Sequence, residues 1–339
     1  MAMRRWVFML LLIGSLIGLA GCSANKAKEQ DLEKKVAELE KQLEQNQQAE
    51  EEAAKEDKEK EEQKPIVVNV LDPATKSSIK VINPIQLGFG SDYEKYKQEI
   101  TKWARELAVG TETTPGYDRR MIPDRIDANG QVIKGTPRVI LEESELVTKV
   151  LEASAKGGDV YLPLHVTESG YKPEDVALLD DVVVASFTTT FDPSITGRNK
   201  NIELSAQAIQ NVIVGTGDIF SFNTTVGPSD AEHGYQPAQE IVNKQVVMGI
   251  GGGICQTSST LFNAVDQLAV EYVEWHHHSL TVGYVPPGRD ATVSYGGLDF
   301  RFQNTAGVPF LIQTIYGKDT LTVEVRTSAA YQSLLKKRS

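Results

Sequence analysis

The composition of residues 23–64 makes a globular fold in this segment unfavourable. The segment contains nine lysines, fourteen acidic residues and no aromatic residue. Such a segment buries too little apolar surface to offset the entropy lost on ordering its backbone. Leu32, Val36, Leu39 and Leu43 follow heptad spacing, but only over about two heptads. We therefore expect a solvated helical or disordered spacer, with weak self-association through residues 32–43 as the alternative, and place the globular fold after residue 64.

The first 22 residues have the pattern of an export signal. Arg4-Arg5 precede the apolar run 6–19, and Leu19-Ala20-Gly21-Cys22 resembles the bacterial lipobox. A transmembrane anchor is the alternative, but the run is shorter than the roughly 20 apolar residues that a spanning helix needs. We predict lipidation at Cys22, which would hold the chain on the outer face of the bacterial cytoplasmic membrane, extending into the cell wall.

Charge and cysteine content narrow the function further. The formal net charge of −11 disfavours a nucleic-acid-binding protein, because such a protein needs a basic face. The chain has two cysteines. If Cys22 is lipidated, Cys255 has no disulfide partner, and a single unpaired thiol in an exported protein is a candidate reactive group. We expect no cofactor.

Two globular regions follow the spacer. In residues 65–180 we predict a strand at 66–70, helices at 93–107 and 146–153, and a tight hairpin around Asn129-Gly130. The pattern indicates a small α/β domain, and no catalytic constellation is evident in it. Residues 181–327 form the second region, and residues 328–339 form a basic tail.

The second region begins with a β-rich segment and helices and continues with alternating segments. Residues 182–191 precede predicted helices at 201–214 and 255–269. Alternation of apolar and polar residues then predicts strands, at 279–285, 291–295, 298–302, 309–315 and 320–325. This order predicts an α+β fold, in which the helix that begins at Cys255 packs on an antiparallel β meander.

Cys255 follows three glycines at the start of that helix. Glycines let the backbone turn sharply and approach a ligand closely. A helix N-terminus has free N–H groups and a partial positive charge, which stabilise a thiolate and can hold an oxyanion. The alternative is a buried and inert cysteine. The glycine run, the helix start and the exported setting together favour a nucleophile.

A cysteine nucleophile needs a base, and three histidines lie downstream. His276, His277 and His278 precede the first predicted strand of the meander, where alternation would put the first and third on one side. Asp290 and Asp299 are the candidates to orient the ring. Metal binding is disfavoured, because consecutive histidines on a strand cannot all face one ion. A surface histidine, or one satisfied within the core, is the other alternative.

Arg289 is a candidate cation for a substrate carboxylate. A guanidinium binds a carboxylate through two parallel hydrogen bonds. The alternative is an ordinary salt bridge to Asp290 or Asp299. Asn223, in a long polar loop, could line a pocket, although turn or cap chemistry explains such a residue equally.

The second region resembles the VanW-like domain family. The resemblance rests on residues 201–204, 220–223, 249–256 and 284–292, and extends over nearly all of 181–327. Trp275 and His277 depart from the family pattern, whereas His276 and His278 keep it. The preceding region resembles the peptidoglycan-binding domain that often precedes VanW-like domains.

The resemblance implies chemistry on peptidoglycan. Some VanW-like domains are associated with L,D-transpeptidase activity, in which a cysteine attacks a tetrapeptide stem and forms a 3-3 cross-link. By this resemblance the site comprises the nucleophile Cys255, with His278, His276 and Asp299 completing the catalytic group. The candidate substrate-binding residues are Arg289, Gly252, Gly253, Gln256, Asn223 and Ser279.

Three functions remain open from the sequence. The first is a peptidoglycan transpeptidase that uses a cysteine. The second is a cysteine peptidase or amidase, in which water resolves the acyl-enzyme formed on the same stems. The third is a lipoprotein that binds the wall without catalysis. The reactivity of Cys255 separates the third from the others, because an inert thiol would have an ordinary pKa.

Overall fold

The computed structural model describes residues 34–39, 41–48, 65–242 and 244–338. Two units are distinguished, Met1–Pro65 and Ile66–Ser339. The predicted lipidation site Cys22 and the heptad position Leu32 lie outside the described residues. Residues 34–39 and 41–48 are helical, and the heptad side chains of Val36, Leu39 and Leu43 are exposed. Within the described ranges, no helix has the length and apolar content required to span a membrane.

The second unit is built from short helices and mostly antiparallel strands. The helices are α1 Tyr93–Val109, α2 Glu143–Ala153, α3 Thr196–Ile209, α4 Phe222–Val226 and α5 Ile254–Val265. The strands are β1 Val68–Leu71, β2 Ser78–Ile82, β3 Arg125–Ile126, β4 Val132–Ile133, β5 Arg138–Leu141, β6 Gly158–Tyr161, β7 Leu164–Thr167, β8 Val182–Thr190, β9 Val212–Val214, β10 Ile219–Ser221, β11 Pro237–Val242, β12 Gln245–Ile250, β13 Val270–Glu274, β14 Arg301–Asn304, β15 Phe310–Tyr316 and β16 Thr320–Thr327. The predicted α+β class is confirmed.

The first part of this unit packs α1 and α2 with the sheet β2-β1-β6. Asp92 caps α1, because its side chain accepts a hydrogen bond from the backbone N–H of Lys95 at 3.1 Å. Helix α1 buries Tyr96, Ile100, Ala104 and Ala108, which are spaced four residues apart. This spacing gives one apolar stripe, which faces the core while the opposite side of α1 faces solvent.

A six-stranded sheet in the order β4-β3-β9-β15-β16-β8 forms the base of the second part. Every pairing in it is antiparallel. The hairpin β3–β4 turns at Gly130, whose φ is 76°, as the Asn-Gly sequence predicts. Because β3 and β8 belong to the same sheet, residues on both sides of position 180 contribute to it. A domain boundary at that position stays a prediction.

Helix α5 packs against β8 and β16 of this sheet. On its other side lies the sheet β10-β14-β13, and an aromatic cluster fills the space between. Phe262 of α5 stacks on Trp275 with ring centroids 4.5 Å apart and meets Phe300 edge-on at 5.7 Å. The hairpin β11–β12 forms a two-stranded sheet of its own beside the start of α5.

Several predicted elements differ from the structure. The helix predicted at 201–214 is α3, which ends at Ile209 because Asn211 has a φ of 58° and residues 212–214 form the buried strand β9. The segments 279–285 and 291–295 are loops, not strands. Ala291 and Val293 are nonetheless buried. Their alternation therefore reflects a half-buried segment without a strand partner. Of the predicted meander, β15 and β16 pair with each other, whereas β14 belongs to the sheet β10-β14-β13.

Candidate active site

Three glycines bring the chain to the start of α5 with Cys255 as its second residue. Gly251 and Gly253 have φ values of 97° and 112°, which favour glycine. A Cβ atom on Gly252 would lie 2.5 Å from the carbonyl oxygen of Gln239, and one on Gly253 would lie 2.9 Å from Cγ of Arg198. Both backbone conformation and close packing therefore require glycine in this run.

Cys255 is half-buried and lines a cleft of about 1040 Å³. Its Sγ lies 3.4 Å from the carbonyl oxygen of Val293 and 3.7 Å from the hydroxyl of Thr292. Two amides at the start of α5 are already engaged. Ile254 N–H donates to the carbonyl of Gly251, and Gln256 N–H donates to that of Gly253. These two N–H groups are therefore not among the free ones that were expected to hold an oxyanion.

His278 joins Cys255 to a buried carboxylate. Its Nδ1 lies 2.6 Å from Oδ2 of Asp290, and its backbone N–H donates to the same oxygen at 2.7 Å. The His278 side chain also interacts with the Cys255 thiol, and both residues line the cleft. Because Asp290 occupies Nδ1, Nε2 is the nitrogen left for sulfur. Thiol, imidazole and carboxylate thus form a relay of the kind that activates a nucleophile.

The electrostatics of this relay favour charge on both partners. Burial by itself would raise the pKa of the Cys255 thiol, but the hydrogen bond and charge of His278 outweigh it and lower the pKa. Burial would likewise lower the pKa of His278, but Cys255 and then Asp290 outweigh it and raise the pKa. Both shifts act in favour of the charged forms, a thiolate on Cys255 and an imidazolium on His278.

The two neighbouring histidines have other surroundings. His277 Nδ1 lies 2.9 Å from Oδ1 of Asp290, on the outer side of that carboxylate, and nearly half of its side chain is exposed. His276 Nε2 lies 3.2 Å from Oε1 of Glu274. The segment is not a strand, so alternation does not direct its side chains. His276, a predicted catalytic residue, pairs with Glu274, whereas the structure places His278 at the sulfur.

Asp299 was expected to complete the catalytic group, and the structure places it elsewhere. Its fully buried carboxylate accepts hydrogen bonds from the Ser221 hydroxyl at 2.6 Å, the Asn223 backbone N–H at 2.9 Å and the Arg120 guanidinium at 2.9 Å. These bonds hold the start of the short helix α4. The aspartate beside the imidazole is Asp290, the alternative candidate, because the loop after His278 folds back against it.

Arg289 was expected to bind a substrate carboxylate, but its guanidinium is occupied. Nη1 donates to Asp266 at 2.7 Å and Nε donates to the side-chain oxygen of Asn263 at 2.8 Å. The group also lies over the ring of Phe262, 4.7 Å from its centroid. Arg289 is not among the residues that line the cleft. These contacts favour the alternative of an ordinary salt bridge, with Asp266 as the partner in place of Asp290 or Asp299.

The remaining predicted contacts all line the cleft. Asn223 braces a loop, since its amide donates to the carbonyls of Ser294 and Leu298. Ser279 accepts a hydrogen bond from Lys244 N–H at 3.0 Å and so ties the hairpin β11–β12 to the segment after His278. Gly252 and Gly253 lie in its wall. The buried side chain of Gln256 donates to Thr189 and Thr190 and accepts from Arg198.

Comparison with known proteins places these features in one family. A family model described as VanW like protein matches residues 197–326. An uncharacterized protein named YoaR, from Bacillus subtilis, is 45% identical over 249 residues, which cover 69% of this chain and 78% of that protein. The chain belongs to the VanW-like family. The resemblance inferred from its motifs is confirmed.

A second relative is more distant. The vancomycin B-type resistance protein VanW of Enterococcus faecalis is 25% identical over 163 residues, covering 46% of this chain and 59% of that protein. No solved structure matches this chain significantly.

Sequence reasoning missed two residues of the VanW-like cleft. Arg198 lies in the first turn of α3, before the predicted start of that helix, and Tyr284 lies in a segment predicted as a strand. Both positions fall in or beside the matched stretches, which is the only signal that could have found them. Among the described residues, no cluster of histidine, cysteine and acidic side chains has the arrangement of a metal site.

Proposed function

We propose that this VanW-like protein is a cysteine acyltransferase of the cell envelope that carries out L,D-transpeptidation on peptidoglycan stem peptides. The observation that supports it is the relay of Cys255, His278 and Asp290 at the wall of an open cleft. A thiolate beside an imidazolium has both the nucleophile and the acid that acyl transfer needs.

The reaction would proceed in two steps. The Cys255 thiolate attacks the carbonyl carbon of the third stem residue, the peptide bond to the terminal D-Ala breaks, and His278 donates its proton to the leaving amine. The product is a thioester on Cys255. A side-chain amine of a second stem then attacks that carbonyl, His278 takes the proton of the amine, and the thiolate leaves. The net change is one amide bond exchanged for another, with release of D-Ala.

The envelope setting is part of this proposal. Acyl chains on Cys22 would anchor the protein to the membrane, and the charged segment 23–64 would let the second unit reach the wall. The outer face of the cytoplasmic membrane is where stem peptides are accessible. We propose stem peptides and the membrane as the partners of this chain.

Hydrolysis is the second candidate. The cleft is open, and water can approach the same thioester without a binding site for a second stem. A cysteine peptidase or amidase would use Cys255 and His278 in the same first step and differ only in the acceptor. A binding role without catalysis would leave the relay unused.

Mass analysis of muropeptides tests these alternatives. The full chain in detergent is incubated with tetrapeptide muropeptides, with Cys255→Ala as the matched control. We expect cross-linked dimers, free D-Ala and a thioester adduct on the wild type, and none of these with the control. Tripeptides without dimers would assign hydrolysis. Unchanged stems in both samples would contradict an enzyme and favour a binding module.

A further inference from the structure

Arg198 presents an unusual cation in the wall of the cleft. Its Nη2 donates to the side-chain oxygen of Gln256 at 2.7 Å, which is a neutral acceptor. No acidic side chain of residues 65–242 and 244–338 forms an ion pair with it. Arg289, by contrast, is paired with Asp266 at 2.7 Å. A guanidinium has five N–H donors, so most of those on Arg198 remain available to a ligand.

The position of Arg198 makes this lack of a partner costly. Its side chain is partly buried, and burial lowers its pKa, while Tyr284 and the charge of Cys255 act in the opposite direction. Arginine remains protonated in proteins despite such shifts. Removing a charge from water without a counter-charge is unfavourable, and an anionic ligand would offset that cost.

Tyr284 supplies a second donor at the same place. Its hydroxyl is buried and forms no hydrogen bond with the described residues. The nearby Ser259 hydroxyl is engaged with the backbone of Cys255 and Ala291. Arg198 lies over the Tyr284 ring, 5.8 Å from its centroid. Burial, and then the charge of Cys255, raises the pKa of Tyr284, so its hydroxyl stays protonated as a donor.

Both groups are held close to the reactive sulfur. Gln256, which orients Arg198, directly follows Cys255 in the chain, and its amide is fixed by Thr189 and the backbone of Thr190. The absence of a side chain on Gly253 leaves room for the Arg198 stem. The charge of Cys255 acts on both Arg198 and Tyr284. An anion bound by these donors would therefore lie next to the bond that the thiolate attacks.

We propose that Arg198 and Tyr284 bind the free C-terminal carboxylate of the donor peptide, one residue beyond the scissile carbonyl. A carboxylate has two oxygens that match the guanidinium fork. This inference deepens the proposed function, on which it rests, because it makes the enzyme specific for a single unblocked terminal residue. It assigns to Arg198 the role that the sequence suggested for Arg289.

A binding experiment tests this independently of turnover. The ligands are a tetrapeptide stem with a free C-terminal carboxylate and the same peptide as its C-terminal amide. In the Cys255→Ala background, calorimetry should give tighter binding of the acid by about 10- to 100-fold, the range for hydrogen bonds to a charged group. Arg198→Gln should abolish this preference by weakening the acid alone, whereas Arg198→Lys should retain part of it and Tyr284→Phe should reduce it severalfold.

Arg289→Gln is the matched control and should keep the preference for the acid. Thermal unfolding of each variant identifies any that fails to fold, in which case Arg198→Lys and Tyr284→Phe decide. If the Cys255→Ala protein, in which Arg198 is unchanged, bound the acid and the amide with equal affinity, the inference would be overturned. So would a loss in Arg198→Gln that affects both peptides equally, which would indicate a role toward the thiolate or oxyanion. If the Cys255→Ala protein preferred the acid but the wild type showed no turnover, the carboxylate site would be supported and only the proposed function would be contradicted.

Discussion

Helices α1 and α5 are both central to this unit but are held in different ways. Helix α1 buries an apolar stripe that includes Ile100 and exposes its other side. Helix α5 is buried on all sides, and Cys255 is its one half-buried residue. Its buried polar residues are Gln256, Thr257, Ser258, Ser259, Thr260 and Asn263. The stripe of α1 accepts many similar packing arrangements, whereas hydroxyls in α5 require particular partners.

Those partners fix the position of α5. Thr257 meets the hydroxyl of Ser205 at 2.7 Å, and Thr260 meets that of Thr189 at 2.8 Å. A buried hydrogen bond is lost when its partner moves by a fraction of its length, so such bonds determine a single arrangement. We infer that α1 stabilises the fold and that α5 positions the sulfur. A reactive group is most effective when rigid neighbours hold it in this way.

Loss of the relay at Cys255 of α5 should have the largest effect on activity. We expect His278→Ala and Asp290→Asn to lower turnover by about 100-fold or more, because they remove the acid–base partner of Cys255 or its orientation. Turnover of muropeptides and the rate of alkylation by iodoacetamide measure this. His276→Ala, which removes one of several partners of Glu274, is the control and should remain close to the wild type. An equal loss of turnover in all three variants would contradict the assignment of His278 and Asp290 to the relay.

The pH dependence of alkylation should show how His278 sets the pKa of Cys255 in α5. Because His278 lowers the pKa of Cys255, the thiolate persists as pH falls below the ordinary thiol range, and reactivity is lost only below the lowered pKa. In His278→Ala, burial is opposed only by the smaller effects of Val293 and Thr292, so the pKa of Cys255 should rise and alkylation should require higher pH. Rates from about pH 5 to about pH 10 test this. Superimposable profiles for the two proteins would contradict it.

Stability should respond most strongly in α1. Ile100→Ala should lower the free energy of unfolding by about 2–5 kcal/mol, because it leaves a cavity in the apolar stripe. Chemical denaturation measures this change. Alkylation of Cys255 under native conditions should keep its wild-type rate, since α1 does not line the cleft. If Ile100→Ala also altered the alkylation rate, the inferred division of roles between α1 and α5 would be contradicted.

The smallest effect should come from a single hydroxyl in α5. Thr257→Val keeps the shape of the side chain but removes its bond to Ser205, so we expect a loss of about 1 kcal/mol although the new residue is more apolar. Thr101→Val on the exposed side of α1 is the matched control and should change the free energy of unfolding by no more than about 0.5 kcal/mol. Stabilisation by Thr257→Val would show that the polar interior does not hold α5.

Features that depend on neighbouring residues were predictable. The hairpin at Asn129-Gly130, the stripe of α1 and the α+β class follow from turn chemistry and periodicity. Alternation in 279–285 and 291–295 was misleading, because a half-buried loop has the same pattern as a strand that has a partner. Periodicity reports which side is buried and cannot report what pairs with the backbone.

The sequence by itself determined the family, the candidate nucleophile Cys255 and the glycines before it, since these depend on residues adjacent in the chain. Only the tertiary structure decided that His278 faces the sulfur, that Asp290 rather than Asp299 orients it, and that Arg198 rather than Arg289 is the available cation. Arg198 and Cys255 are far apart in the chain, and the packing of α3 against α5 brings them together. Local patterns encode backbone conformation, whereas the direction of a side chain depends on partners that only the folded chain supplies.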